Sequence, residues 1–144
     1  MNPFVHRTLT VRLESAPGRR VRVLAHMSYD AEDPFAVTAT FTHEGLIVAQ
    51  WRLDREMVAD GVQRPVGEGD VRMRPQRVGA RNELRIELSG DAGGHAGRRC
   101  AVILASAPAV MSFLEATYRV VERGHEEVDV EEFLAKVLAR TGRR

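Results

Sequence analysis

The chain has 144 residues, 44% of them hydrophobic and 28% charged, with 21 Lys+Arg against 20 Asp+Glu. These figures suit a single globular domain over 1–144, which buries roughly 68–70% of the surface its unfolded chain exposes. They exclude a chain-wide basic field for nucleic acid, and the lone Cys100 excludes an internal disulfide framework or a cysteine-built zinc site.

The stretch from Met1 to Thr10 carries His6 and Arg7 and too few consecutive apolar residues for a signal peptide. No apolar run reaches the ~20 residues of a membrane-spanning helix. The expectation is a cytoplasmic protein whose membrane association, if any, comes through a partner. Lys136 is the only lysine. That skew fits a GC-rich genome, and it supplies guanidinium forks for carboxylates.

The first half reads as strands. Val5, Leu9, Val11 and Leu13 share one parity, and a turn at Ala16-Pro17-Gly18 follows. Val21, Val23, Ala25, Met27 and Tyr29 then alternate with Arg20, Arg22, Leu24, His26 and Ser28, the period of a half-buried antiparallel strand. After a connection at Asp30–Pro34, Phe35, Val37, Ala39 and Phe41 alternate with Ala36, Thr38, Thr40 and Thr42. His43-Glu44-Gly45 suits a tight hairpin into Leu46–Arg52, where Ile47, Ala49 and Trp51 are expected on one face.

Asp54 is a candidate N-cap for a short helix over Arg55–Asp60, and Gly61 fits its left-handed C′ position. Val62–Asp70 reads as loop. Val71, Met73 and Pro75 oppose Arg72 and Arg74 on the next strand, and Leu84, Ile86 and Leu88 oppose Arg85 and Glu87 on another. A Gly-rich loop over Ser89–Gly97 leads to an apolar strand, Arg99–Leu104, in which Cys100 is expected buried and inert.

Ser106 caps a predicted helix to Arg123, with Pro108 in its first turn and Gly124 ending it. Val110, Phe113, Leu114, Thr117, Tyr118 and Val121 mark its buried face. A second helix starts at Asp129 with Glu132 as capping-box partner and Val128/Phe133 as hydrophobic staple. Its stripe is Val130, Phe133, Leu134, Val137 and Leu138. About seven strands followed by two C-terminal helices define an α+β fold, with the helices packed on an antiparallel sheet.

Catalytic signatures are missing from the sequence. His125-Glu126-Glu127-Val128-Asp129 opens like a zincin helix but lacks the second histidine. Gly93-Gly94-His95-Ala96-Gly97 lies between strands and lacks the helix N-terminus of a phosphate loop. The reading is a non-enzyme with no cofactor and no metal.

Three features remain as candidate partner contacts. Arg64, Arg72, Arg74, Arg77, Arg81 and Arg85 crowd one stretch, with Arg72 and Arg74 on one strand face and Arg85 placed to join them. They form either a surface for an acidic protein or nucleic-acid phosphates, or a solvated face paired with Glu83 and Glu87. Stacking aromatics are not interleaved with them, which disfavours nucleic acid. Trp51, the sole tryptophan, is a core anchor or an interface hot spot. Asp30, Glu32 and Asp33 make a turn cluster or a partner contact.

Tyr29-Asp30-Ala31-Glu32-Asp33-Pro34-Phe35-Ala36-Val37 resembles the YD-x-x-DPYAV signature of the SsgA-like proteins of sporulating actinomycetes. Trp51-x3-Arg55-Glu56-Met57-Val58-Ala59-Asp60-Gly61, followed by Arg64-Pro65-Val66-Gly67-Glu68-Gly69-Asp70-Val71-Arg72, is similar to that family's second block. Ala107-Pro108 and Ser112-Phe113-Leu114 resemble its A-P…SFL helix start. The likeness spans nearly the whole chain. Glu115-Ala116-Thr117-Tyr118 and the proline-free Arg123–Glu127 connection depart from the pattern and leave the subgroup open.

The resemblance implies a strongly twisted antiparallel sheet with packed helices, whirly-like, in a bell-shaped homotrimer. It implies a non-catalytic adaptor in sporulation-specific division, acting at the septum. In the best understood branch, SsgB, the protein recruits the tubulin-like FtsZ to future septum sites, with the paralogue SsgA as localising partner. The alternative is a single-stranded nucleic-acid-binding module on the same architecture.

Overall fold

The computed structural model describes residues 3–16, 18–91, 98–127, 134–135 and 138–139. Eight antiparallel strands form one sheet that curls into a half-barrel: β1 (Phe4–Ala16), β2 (Arg19–Asp30), β3 (Ala36–His43), β4 (Leu46–Asp54), β5 (Val66–Glu68), β6 (Val71–Val78), β7 (Arg81–Asp91) and β8 (Arg98–Ser106). Helix α1 (Arg55–Gly61) links β4 to β5, and α2 (Ala107–Val120) follows β8.

The sheet order is β4-β3-β2-β1-β8-β7-β6-β5, two four-stranded meanders joined at a β1/β8 seam. That seam is short, with Arg12, Leu13 and Glu14 opposite Leu104, Ile103 and Val102. Helix α2 lies against β1, β7 and β8, bridging the seam from one side. The face it covers is apolar, with Val23, Ala25, Met27, Val37, Phe41, Leu84, Ile86 and Ile103 packed beneath Val58, Val110, Phe113 and Leu114. Phe113 has no exposed surface, so truncating it to alanine removes about 3–5 kcal/mol of packing.

Local chemistry places these elements. Glu44 and Gly45 have φ of 52° and 80°, the double left-handed geometry of a two-residue hairpin turn, and glycine supplies the second at no steric cost. The Asp54 carboxylate accepts from Met57 N at 3.0 Å, capping α1 as expected. Pro75 sits on β6 beyond the end of β5, where the strand has no second neighbour and a missing N–H costs nothing. Ser106 Oγ accepts from Ala109 N at 3.3 Å and starts α2.

Several expectations are corrected. The sheet has eight strands rather than seven, because Val66–Glu68, expected as loop, pairs with Val71–Met73 as β5. Gly61 does not take a left-handed C′ conformation; it lies inside α1, and a Cβ there would stand 2.7 Å from Met73 Cβ. Close approach of helix to strand is what requires glycine.

Ile47 does not share a face with Ala49 and Trp51. Phe41 faces Ala49 but Thr42 faces Ile47, so one extra residue bulges on β4 and turns Ile47 to the opposite side. Cys100 is exposed, since even-numbered β8 residues at this end point away from the helices. Ser89–Asp91 belongs to β7 rather than to a loop, and residues 92–97 lie outside the described residues.

Helix α2 ends at Val120, with Val121 extended, three residues before the expected end. The capping box and staple at 128–133 lie outside the described residues, while 134–135 and 138–139 are helical. Leu134 and Leu138 are exposed.

Candidate partner-binding surface

Alternation along the strands leaves one sheet face away from the helices. In the β5–β8 meander this face carries Arg72, Arg74, Arg85 and Glu87, as the sequence pattern predicts. Cross-strand register sets Arg72 opposite Glu87 and Arg74 opposite Arg85. Arg85 Nε donates to Glu87 Oε1 at 2.8 Å, and its Nη1 donates to Gln76 Oε1 at 3.2 Å. Arg72 and Arg74 are exposed and have no ion-pair partner among the described residues. Their expected neutralisation by nearby acids is therefore partial: Glu87 serves Arg85, and Glu83 is buried against Arg12 across the sheet.

The other predicted contacts do not join this cluster through ion pairs. Arg64 pairs with Asp60 at 3.2 Å, beside α1, and Asp60 also accepts from Arg123 at 2.9 Å. Asp30 Oδ1 accepts from Glu32 N at 2.9 Å and holds the β2–β3 turn. Asp33 Oδ1 accepts from Arg52 Nη2 at 2.6 Å. Trp51 is half-buried and packs against the core from β4, nearer the anchor than the exposed hot spot.

In the β1–β4 meander the same face is polar, with the hydroxyls of Thr8, Thr40 and Thr42 around His26 and with Arg12, Arg22, Glu14 and Arg20 nearer the hairpin that joins β1 to β2. His6 and His26 stack with centroids 6.0 Å apart, a pairing that sequence spacing did not suggest. His26 bridges the hydroxyls of Thr8 at 3.2 Å and Thr42 at 3.0 Å.

Among the described residues the most buried charged side chain is one that no sequence pattern singles out. Arg55, the first residue of α1, is 1% exposed and sandwiched between the rings of Tyr29 and Tyr118, at 4.7 and 4.4 Å from their centroids. Its Nη1 donates to the carbonyls of Thr117 at 3.3 Å and Val121 at 2.8 Å, and Nη2 donates to Glu126 Oε1 at 2.7 Å. The Val121 carbonyl, past the last turn of α2, thus finds a donor, and the Thr117 carbonyl is shared between Arg55 and the Val121 N–H at 3.0 Å. The Arg55 guanidinium holds the Glu126 carboxyl below its ordinary range, with the Gly124 N–H at 2.8 Å assisting. Burial pushes both tyrosine hydroxyls up, against the opposing pull of Arg55 on Tyr29 and of Arg123 and Arg55 on Tyr118. Tyr29 donates to the Pro34 carbonyl at 3.0 Å. Tyr29, Pro34 and Arg55 all lie in the two sequence blocks that carry the family resemblance, so those blocks specify this joint as much as any surface.

Comparison with known proteins bears out the family resemblance. The family model described as "Streptomyces sporulation and cell division protein, SsgA" matches residues 23–126. The sporulation-specific cell division protein SsgB of Streptomyces coelicolor is 34% identical over 143 residues, covering 98% of this chain and 100% of its own. SsgB of Saccharopolyspora erythraea is 37% identical over 120 residues, covering 82% and 80%. Among solved structures, the SsgA-like sporulation-specific cell division protein of Thermobifida fusca superposes with a TM-score of 0.81 at 27% identity, covering 94% of this chain and 96% of its own. A Streptomyces coelicolor SsgB structure, from work correlating SsgB mutations with longitudinal division during sporulation, gives 0.76 at 36% identity, covering 88% and 94%. By sequence and by fold alike, the chain belongs to the SsgA family of sporulation and cell division proteins.

Proposed function

We propose that this protein is a non-catalytic adaptor of sporulation-specific division that binds FtsZ, or an SsgA-like paralogue, at future septum sites in the cytoplasm. The observation that carries this reading is the sheet face opposite the helices, where Arg72 and Arg74 stand exposed without ion-pair partners among the described residues. Leaving guanidinium groups unneutralised on an exposed strand face suits an acidic protein partner. Co-sedimentation with polymerising FtsZ is the test. Wild type should pellet with the polymer, and R72E/R74E should remain in the supernatant. Normal pelleting by the double variant removes this face from the function, and failure of wild type to pellet under any polymerising condition overturns the FtsZ reading.

The adaptor acts as a homo-oligomer, a trimer by family resemblance. The edge strand β4, which has no second neighbour among the described residues, supports self-association: Leu46, Ile47 and Val48 are 71%, 70% and 53% exposed at its start. An unprotected apolar edge is a template for another chain. Light scattering reads the assembly mass directly, and a monomer at every concentration rejects it.

A further inference from the structure

Strand register places four arginines in one line across the sheet. Arg74 on β6 faces Arg85 on β7, Arg85 faces Leu104 on β8, Leu104 faces Arg12 on β1, and Arg12 faces Arg22 on β2. Cross-strand partners share a face, so all five side chains lie on the side away from the helices. At about 4.8 Å per strand the line is about 19 Å long. Leu104 is only 1% exposed, so arginines dominate the accessible part.

Two of the register pairs, Arg74/Arg85 and Arg12/Arg22, set like charges directly opposite each other, an arrangement that costs stability. The inner members are relieved: Arg85 by Glu87 and Arg12 by Glu83. The outer members, Arg74 and Arg22, are exposed and have no ion-pair partner among the described residues. Beside the Arg12/Arg22 end an open cleft of about 640 Å³ is lined by Thr10, Arg81, Asn82 and Ser106 together with those two arginines and with Glu83, whose carboxylate is paired with Arg12. Arg81 is likewise exposed and without an ion-pair partner among the described residues.

We propose that this line, from Arg74 across the β1/β8 seam to Arg22 and the cleft beside it, is a track for an extended acidic polypeptide segment. About six extended residues at ~3.3 Å each span it. Carboxylates on such a segment form charge-assisted forks with Arg74, Arg22 and Arg81. Glu14, Glu83 and Glu87 flank the line in the adjoining rows. A peptide places uncharged residues beside them, whereas a nucleic-acid strand carries a phosphate at every step and meets each one. No aromatic side chain stands in the line or in these flanking rows to stack a base. This inference rests on the partner-binding reading above and extends that surface to the other meander.

The test is fluorescence anisotropy at low salt with three labelled probes: an eight-residue alternating Glu-Ser peptide, its Gln-Ser counterpart, and an oligo-dT strand. The full chain should bind the Glu-Ser peptide, ignore the Gln-Ser peptide, and lose binding as salt rises. R22E and R74E, at opposite ends of the line, should each weaken binding about tenfold, with R22Q intermediate. Both sites are exposed, and unchanged circular dichroism and Tm confirm folding. Unaltered affinity in R22E overturns the extension across the seam. Equal binding of both peptides, or tighter binding of oligo-dT, overturns the acidic-peptide class. Peptide binding by a wild-type protein that never pellets with FtsZ preserves the track and rejects only the FtsZ partner. Pelleting with FtsZ without affinity for the Glu-Ser probe does the reverse.

Discussion

Arg55 and Arg74 are the same residue in opposite circumstances. Arg55 is enclosed by two tyrosine rings, two carbonyls and Glu126. Arg74 projects from a strand face opposite another arginine. A buried guanidinium persists only where its charge and most of its donors are met within the fold. Arg55 meets this through both Nη groups, although its buried Nε has no hydrogen-bond partner among the described residues. An exposed guanidinium facing a like charge adds no stability and opposes folding slightly. The first arginine therefore belongs to the architecture and the second is free for a partner, although the sequence presents them alike.

The largest effect expected from this contrast is at Arg55. Replacing it with leucine leaves the end of α2 without its donor, Glu126 without its partner and two rings without their cation. A loss of about 3 kcal/mol is expected, measured by chemical denaturation. A loss below about 1 kcal/mol would show that solvent replaces these bonds and that the joint between α1 and α2 is ornamental.

A smaller effect, with a defined pH signature, sharpens the same side of the comparison. Glu126 has its carboxyl held below the ordinary range in the folded state. Its contribution is complete above that range and is lost as pH falls through the depressed value. Glu126→Gln should therefore melt below wild type at pH 7, by less than the Arg55 variant does. The two Tm curves should converge as acid protonates the wild-type carboxylate. A constant gap down to the acid end would mean that Glu126 acts by its shape and not by its charge.

How far the sequence disclosed this contrast depends on what fixes each feature. Period-two alternation gave the strands from Val21 to Phe41 and the Arg72/Arg74 face, because backbone geometry alone imposes it. The bulge that turns Ile47 away is one extra residue on one strand, and no local propensity announces it. β5 escaped because three residues between Pro65 and Gly69 carry too little pattern to separate strand from loop. Glycine suits a helix stop, which is what the local sequence predicts for Gly61; the tight contact with Met73 is visible only once β6 is in place. Arg55 stood inside a recognised block, yet its partners at Thr117, Val121 and Glu126 are more than sixty residues away in the chain. Register across the β1/β8 seam is equally non-local, and nothing in local pattern aligns Arg12 and Arg22 with Arg74 and Arg85.

The smallest expected effect on folding tests the exposed side of the comparison. Arg74→Glu replaces a like-charge cross-strand pair with an opposite-charge one, since Arg85 lies directly across. Opposed charges at such positions contribute up to about 1 kcal/mol and like charges oppose folding by a similar amount. Screening at an exposed strand reduces both, so the variant should be as stable as wild type or about 0.5 kcal/mol more stable. It should also bind the acidic peptide about tenfold less well. Gain in one measurement with loss in the other is the signature of a charge kept for a partner. If Arg74→Glu instead lowers stability, the arginine has a folding role that its register position does not reveal, and the distinction drawn between it and Arg55 fails.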